Sequence, residues 1–177
     1  MAVIFLYCDY QAEKEQSVVN MIGSLVRQAA LRAQRIPSEI KKAFEESKKG
    51  GDGLQLPEMV KLFIKVIGSI ELVYLCVDAV DEVLPENRLE FFRALRQIIQ
   101  ESPNIRLFLT GRLHIRPELD RNLTKTAYAI QIVVDQGDIT KYLSKKMDDD
   151  HDQYPGLMTD DLRKFIVETI LGKASEM

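Results

Sequence analysis

Hydrophobic positions along this chain alternate between unbroken runs and helical stripes. Val3-Ile4-Phe5-Leu6-Tyr7-Cys8 is a continuous apolar run rich in β-branched and aromatic residues, which predicts a strand buried on both faces. From Ser17 to Arg32 the apolar residues Val18, Ile22, Leu25, Val26 and Ala29 recur at three and four positions, the repeat of a helix with one buried stripe. Pro37 separates it from a shorter helix capped by Ser38, with Ile40, Ala43 and Phe44 as its apolar face. Lys48-Lys49-Gly50-Gly51-Asp52-Gly53 breaks the pattern and predicts a surface loop. The next helix starts at Pro57, buries Val60, Phe63, Ile64 and Ile67, and stops at Gly68.

Leu72-Val73-Tyr74-Leu75-Cys76-Val77-Asp78 is a second strand, and a helix over Asn87–Gln100 follows with Leu89, Phe92, Leu95, Ile98 and Ile99 on one face. Ile105–Thr110 predicts a third strand and Ala127–Val134 a fourth. Asp138 is placed to cap a helix carrying Ile139, Tyr142 and Leu143, and Thr159 the last one, carrying Leu162, Ile166 and Ile170. Between them Met147–Asp152 reads as an acidic loop. Strands alternating with helices, each connection long enough to cross over, predict an α/β fold: a parallel sheet with helices on both faces, in three layers.

Composition narrows the function. The 177 residues, 46% of them hydrophobic, suffice for one domain with a sizeable core. With 24 Lys and Arg against 27 Asp and Glu, the net charge of -3 supplies no basic field for a nucleic acid. No apolar run is long enough to span a bilayer, and Met1–Tyr10 lacks the basic start of a signal peptide. Cys8 and Cys76 both fall in apolar runs and read as reduced core residues, which points to a cytoplasmic protein.

The chemistry concentrates where the second strand ends in acids: Val77-Asp78-Ala79-Val80-Asp81-Glu82. In parallel sheets ligands bind beyond the carboxyl ends of the strands, and Asp9, Asp78 and Arg112 all fall at or just past such ends. Two carboxylates about 6 Å apart repel by roughly 3 kcal/mol at an effective dielectric near 20, which a bound divalent cation would reverse. The cluster therefore calls for a metal or for ample solvent. Arg112 could place a guanidinium near a terminal phosphate, or simply pair with a neighbouring acid. His114 and His151 have no clustered partners and are assigned no zinc role.

These segments resemble a NACHT-type NTPase module of the STAND class, in the fungal and nephrocystin-like style. The resemblance is carried by the opening Val3–Tyr10 strand, by Val77–Glu82, by Leu107-Phe108-Leu109-Thr110-Gly111-Arg112 and by Asp138-Ile139-Thr140-Lys141-Tyr142-Leu143. It implies a three-layer P-loop NTPase-like sheet of the ASCE type, with residues 1–147 as a partial core holding strands two to five and 148–177 as a linker and the start of a following helical region. Asp78 would act as the Walker B acid that holds Mg²⁺ through water, Asp81 and Glu82 would polarise the attacking water, and Arg112 would sense the nucleotide. ATP or GTP with Mg²⁺ would serve as a signalling switch. The partners implied are the effector and repeat domains of a multidomain parent, or further copies in a homo-oligomer.

Two departures stand out. Gly111 takes the place of a serine common in that family, and the first strand with its Gly-x-x-Gly-x-Gly-Lys-Ser/Thr loop is expected upstream of Met1. The chain alone is therefore expected to be unable to bind or hydrolyse nucleotide, because backbone N–H groups and the loop lysine supply most of the grip on the phosphates. In the resembled fold the missing strand lies between the fourth and fifth. Its loss is expected to leave a three-strand piece and an orphan, and hence marginal stability. Either Ala127–Val134 closes against Ile105–Thr110, or an exposed strand edge invites aggregation. Two other readings remain open: a non-enzymatic α/β interaction scaffold, and an unrelated Mg²⁺-dependent phosphotransfer domain in which Asp9 and Asp78 share a metal.

Overall fold

The computed structural model describes residues 1–12, 16–33, 38, 40–42, 45, 54–123, 128–132, 135–153, 156 and 158–174. The chain divides into two compact units, Met1–Tyr128 and Ala129–Met177.

The first unit is built on a parallel sheet of β1 (Ala2–Tyr7), β2 (Val73–Asp78) and β3 (Ile105–Leu109), in the order β1-β2-β3. Ala2 pairs with Val73 and Val73 with Ile105, so one register runs across all three strands. That register puts Ala2, Ile4, Leu6, Val73, Leu75, Val77 and Ile105 on one buried face. Helices α1 (Val18–Arg32), α2 (Leu56–Ile67) and α3 (Pro85–Glu101) pack on one another, α1 against β1 and α3 against β3, and share the core with that face. Right-handed crossovers between strands that advance in one direction lead to this one-sided stacking. A short helix, α4 (Arg116–Asn122), packs on α3.

Local chemistry sets the helix boundaries. Ser17 Oγ accepts from Asn20 N–H at 3.3 Å to start α1, as its position predicts. A capping box of Gln55 and Glu58, with Pro57 in the first turn, starts α2, and Gly68 closes it. Helix α3 is longer than the predicted Asn87–Gln100, because Pro85 extends it at the amino end.

The opposite face of the sheet corrects one expectation. β1 is buried on one side only: Val3, Phe5 and Tyr7 are exposed, beside Tyr74 of β2 and Phe108 of β3. An unbroken apolar run had implied cover on both faces, but the described helices of this unit cover one.

The expected fourth strand also needs correction. Tyr128–Ile132 form no strand, and Tyr128, Ile130 and Ile132 are 101%, 85% and 91% exposed. A strand persists only where a neighbour satisfies its backbone, and none of the three strands pairs with this segment. Residues 127, 133 and 134 lie outside the described set, as does the whole of the expected Lys48–Gly53 loop. Of the helix expected after Pro37, the described residues 38, 40–42 and 45 are helical.

The second unit is a pair of packed helices, α5 (Gln136–Gln153) and α6 (Asp160–Ala174). The cap of α5 is Asp135 and not Asp138: its Oδ1 accepts from Gly137 N–H at 2.6 Å and Asp138 N–H at 3.3 Å. Thr159 caps α6 as expected, accepting from Leu162 N–H at 3.3 Å. Met147–Asp152 is helical and not a loop. No glycine or proline interrupts the chain before Pro155, Met147 is buried, and Lys146 pairs with Asp150 at 3.6 Å one turn on. Arg163 of α6 pairs with Asp148 and donates to the Met147 carbonyl at 3.3 Å.

Candidate functional site

The carboxyl ends of the strands gather the residues singled out above. Asp78 is the last residue of β2. One of its carboxylate oxygens accepts a short hydrogen bond from the Thr110 hydroxyl, just past β3. Thr110 Oγ1 in turn accepts from Ala79 N–H at 2.9 Å, its carbonyl accepts from Val80 N–H at 2.9 Å, and its own N–H donates to Val77 O at 3.0 Å. Thr110 therefore both orients the Asp78 carboxylate and staples the turn that follows it. That turn needs fastening, because Ala79 sits in the left-handed region at φ 54°, which costs an L-residue about 1 to 2 kcal/mol. Thr110 was not picked out as a site residue from sequence. Its signal was a hydroxyl at the tip of the strand beside the acid-tipped one.

A single helical turn, Val80–Glu82, then divides the two following acids. Asp81 is 8% exposed; its Oδ1 accepts from Arg112 N–H at 3.1 Å and its Oδ2 lies 3.6 Å from Arg112 Nε. One carboxylate thus holds both backbone and side chain of Arg112, the ion-pair alternative weighed for that arginine. The guanidinium remains largely exposed, with a side-chain exposure of 76%. Gly111 eases the approach, since a Cβ there would lie 3.0 Å from Val80 Cγ1, 3.2 Å from Ile115 Cγ2 and 3.3 Å from Asp81 Oδ1. A side chain at 111 would press on this contact, and its neighbours would have to give by a few tenths of an ångström.

Arg88 of α3, also absent from the sequence-based candidates, ties the turn from below. Its Nη2 donates to Asp81 O and its Nε to Val83 O, both at 2.7 Å, and its Nη1 pairs with Glu118 at 3.3 Å. Glu82, Arg88, Arg112 and His114 line one cleft with Asp81 and Tyr10, of about 250 Å³. Asp9, past the end of β1, spends Oδ1 on Gln11 N–H at 2.8 Å, a local turn. His151 lies in α5, in the second unit.

Cys8, next to the acids, shows their field. Burial first, then the charges of Asp78, Glu82 and Asp81, push its thiol up to about 12. Among the described residues no group of three or more His, Cys, Asp or Glu is placed to hold a metal.

A parallel sheet with an oriented carboxylate at its central strand tip, and the described helices of its unit on one face, defines an α/β domain with its candidate ligand site at the carboxyl edge. Residues 1–112 match the family described as Nephrocystin 3, N-terminal, and the chain belongs to that family. The match spans all three strands and ends on Arg112. No curated protein matches the chain.

Proposed function

We propose that the chain is part of a NACHT-type nucleotide-switch module, in which the end of β2 addresses the Mg²⁺ of a nucleoside triphosphate. The observation that carries this reading is the pairing of Asp78 with Thr110 across adjacent strand tips, with Glu82 and Arg112 lining the neighbouring cleft. Mg²⁺ keeps most of its waters in nucleotide sites and takes one or two protein carboxylates, so a single oriented aspartate suits it. Asp78 would hold the ion through water, with Thr110 fixing the carboxylate's rotation. Bound there, the ion would neutralise phosphate charge and relieve the repulsion among the acids.

Arg112, with its guanidinium largely exposed, is suited to meet a terminal phosphate, and Asp81 is better suited to aiming Arg112 than to handling water. Glu82 remains the acid free of such a tie. The 177 residues contain no Gly-Lys-Ser/Thr sequence, so phosphate capture belongs to a loop supplied from elsewhere in a longer polypeptide. By this reading the 177-residue chain neither binds nor hydrolyses nucleotide unaided.

The test is to read the coding sequence on the 5′ side of the Met1 codon, join any strand and glycine-rich loop found there, and titrate with Mg·ATP and Mg·GTP. The joined polypeptide is expected to bind one of them, and Asp78→Asn to remove the Mg²⁺ dependence. Binding that is indifferent to Asp78→Asn defeats the assignment. Tight Mg·ATP binding by the 177 residues alone defeats the division of labour.

A further inference from the structure

Asp78 does not stand alone at the end of its strand. Exposure alternates along β1 and β2 so that Val3, Phe5 and Tyr7 share one face with Tyr74, Cys76 and Asp78, the face turned away from the described helices of the unit. Tyr7 is the register partner of Asp78, as Phe5 is of Cys76 and Val3 of Tyr74. On the other side Thr110 follows Leu109, the partner of Val77, and so flanks Asp78 from β3. Adjacent strands lie about 4.8 Å apart, which places the Asp78 carboxylate in a row between two hydroxyl-bearing side chains.

The two neighbours differ in reach. Thr110 is short, and its hydroxyl is already given to Asp78 Oδ1. Tyr7 is long, and a phenol extends further from the sheet than a carboxylate rooted beside it. Its main chain is fixed, because the Tyr7 carbonyl accepts from Gln16 Nε2 at 2.9 Å. Its ring rests on Phe5, with centroids 5.5 Å apart and planes tilted by 58°. The side chain is nevertheless 65% exposed, and its hydroxyl has no hydrogen bond to a described residue. Oδ2 of Asp78 is likewise without such a bond.

We propose that Tyr7 is a further binding residue of the Mg²⁺ site: its phenol oxygen accepts a hydrogen bond from a water on the ion that Asp78 addresses, on the side away from Thr110. The proposal rests on the reading of Asp78 as the Mg²⁺ acid. Mg²⁺ gives up its waters reluctantly and keeps several in nucleotide sites, so a group that fixes those waters adds to the grip of the carboxylate. The outward hydrogens of a metal-bound water need acceptors, and a neutral phenol supplies one without adding to the charge of Asp78, Asp81 and Glu82.

The chain has no tryptophan and six tyrosines, so Tb³⁺ in place of Mg²⁺ reports which tyrosine stands beside it through emission sensitised by the ring. Tb³⁺ titrated into the 177-residue chain is expected to give such emission, a part of which Asp78→Asn removes and Mg²⁺ competes away. Tyr7→Phe is expected to remove most of that part. With Tb³⁺ excited directly, so that no ring is needed, Tyr7→Phe is expected to weaken binding about threefold to tenfold. Tyr74→Phe, on the same face at the amino end of β2, changes neither. Emission that is absent, or indifferent to Asp78→Asn, overturns the reading of Asp78 and the role of Tyr7 with it. Emission that needs Asp78 but survives Tyr7→Phe, or equal affinities for Tyr7→Phe and wild type, overturns the role of Tyr7 and leaves Asp78 standing. If Asp78→Asn does not fold, Mn²⁺ broadening of the Ala79 and Thr110 amide signals in the wild type takes its place, and unbroadened signals count against both.

Discussion

Asp81 shows how a residue can be visible in sequence while its contacts are not. Its place in Val77–Glu82 marks it as acidic and near a strand tip, but the spacing is silent on which carboxylate faces inward. Thr110 N–H and Oγ1, bound to Val77 O and Ala79 N–H, fix the turn so that Asp81 points at Arg112 while Asp78 stays at the surface. Asp81→Ala is expected to cost about 1 to 2 kcal/mol in urea denaturation by stripping the acceptor from Arg112 N–H. Asp81→Asn keeps that acceptor and is expected to cost less than about 1 kcal/mol, since the Arg112 end of the ion pair lies largely in solvent, which screens it. Equal losses for the two would show that the charge and not the hydrogen bond is what matters.

Cys8 offers a pH-dependent check of the same neighbourhood. The folded thiol titrates near 12 against an ordinary 9.0, so the unfolded chain releases its proton first as pH rises. Stability from this group is intact below pH 9.0 and declines above it, levelling off past about 12. Denaturation midpoints should fall across this alkaline window in the wild type and fall less in Cys8→Ala. Alkylation of Cys8 at pH 8 is expected only after unfolding.

Among the elements, those with a strong period were legible. Helices α1, α2 and α6 begin where Ser17, Pro57 and Thr159 indicate, because capping is chemistry local to a few residues. Pairing is not local, and there the reading failed: Val3–Cys8 and Ala127–Val134 look alike in sequence, yet one finds β2 as a neighbour and the described part of the other finds none. Nor does sequence reveal that Gln28, inside an amphipathic helix, serves the strand before it: on the outer edge of β1, Phe5 N–H donates to Gln28 Oε1 at 3.2 Å and Gln28 Nε2 donates to Phe5 O at 2.7 Å, which seals that edge against another strand. Gln28→Ala is expected to cost about 1 kcal/mol by leaving the Phe5 peptide unanswered, and to raise light scattering as the chain is concentrated. An unchanged melting point together with unchanged scattering would remove Gln28 from this role.

For the molecule as a whole, the alternation of strands and helices was enough to give the α/β class and the carboxyl edge as the place to look. It could not say how much of the sheet would be covered. Val3, Phe5, Tyr7, Tyr74 and Phe108 form an apolar face that the described helices of the first unit leave uncovered, and each aliphatic or aromatic side chain left so forgoes about 1.5 to 3 kcal/mol of burial. Stability in urea is expected near or below the lower end of the usual 5 to 15 kcal/mol range. A sharp transition at high temperature, independent of protein concentration, would contradict that estimate.

The Gln28 amide works because it offers a donor and an acceptor together, as a peptide bond does. Hydrolysis to glutamate would set an anionic oxygen against the Phe5 carbonyl, now 2.7 Å from Nε2. A preparation aged in warm alkaline buffer would therefore lose its edge seal one molecule at a time. Its tendency to clump would record the age of the sample.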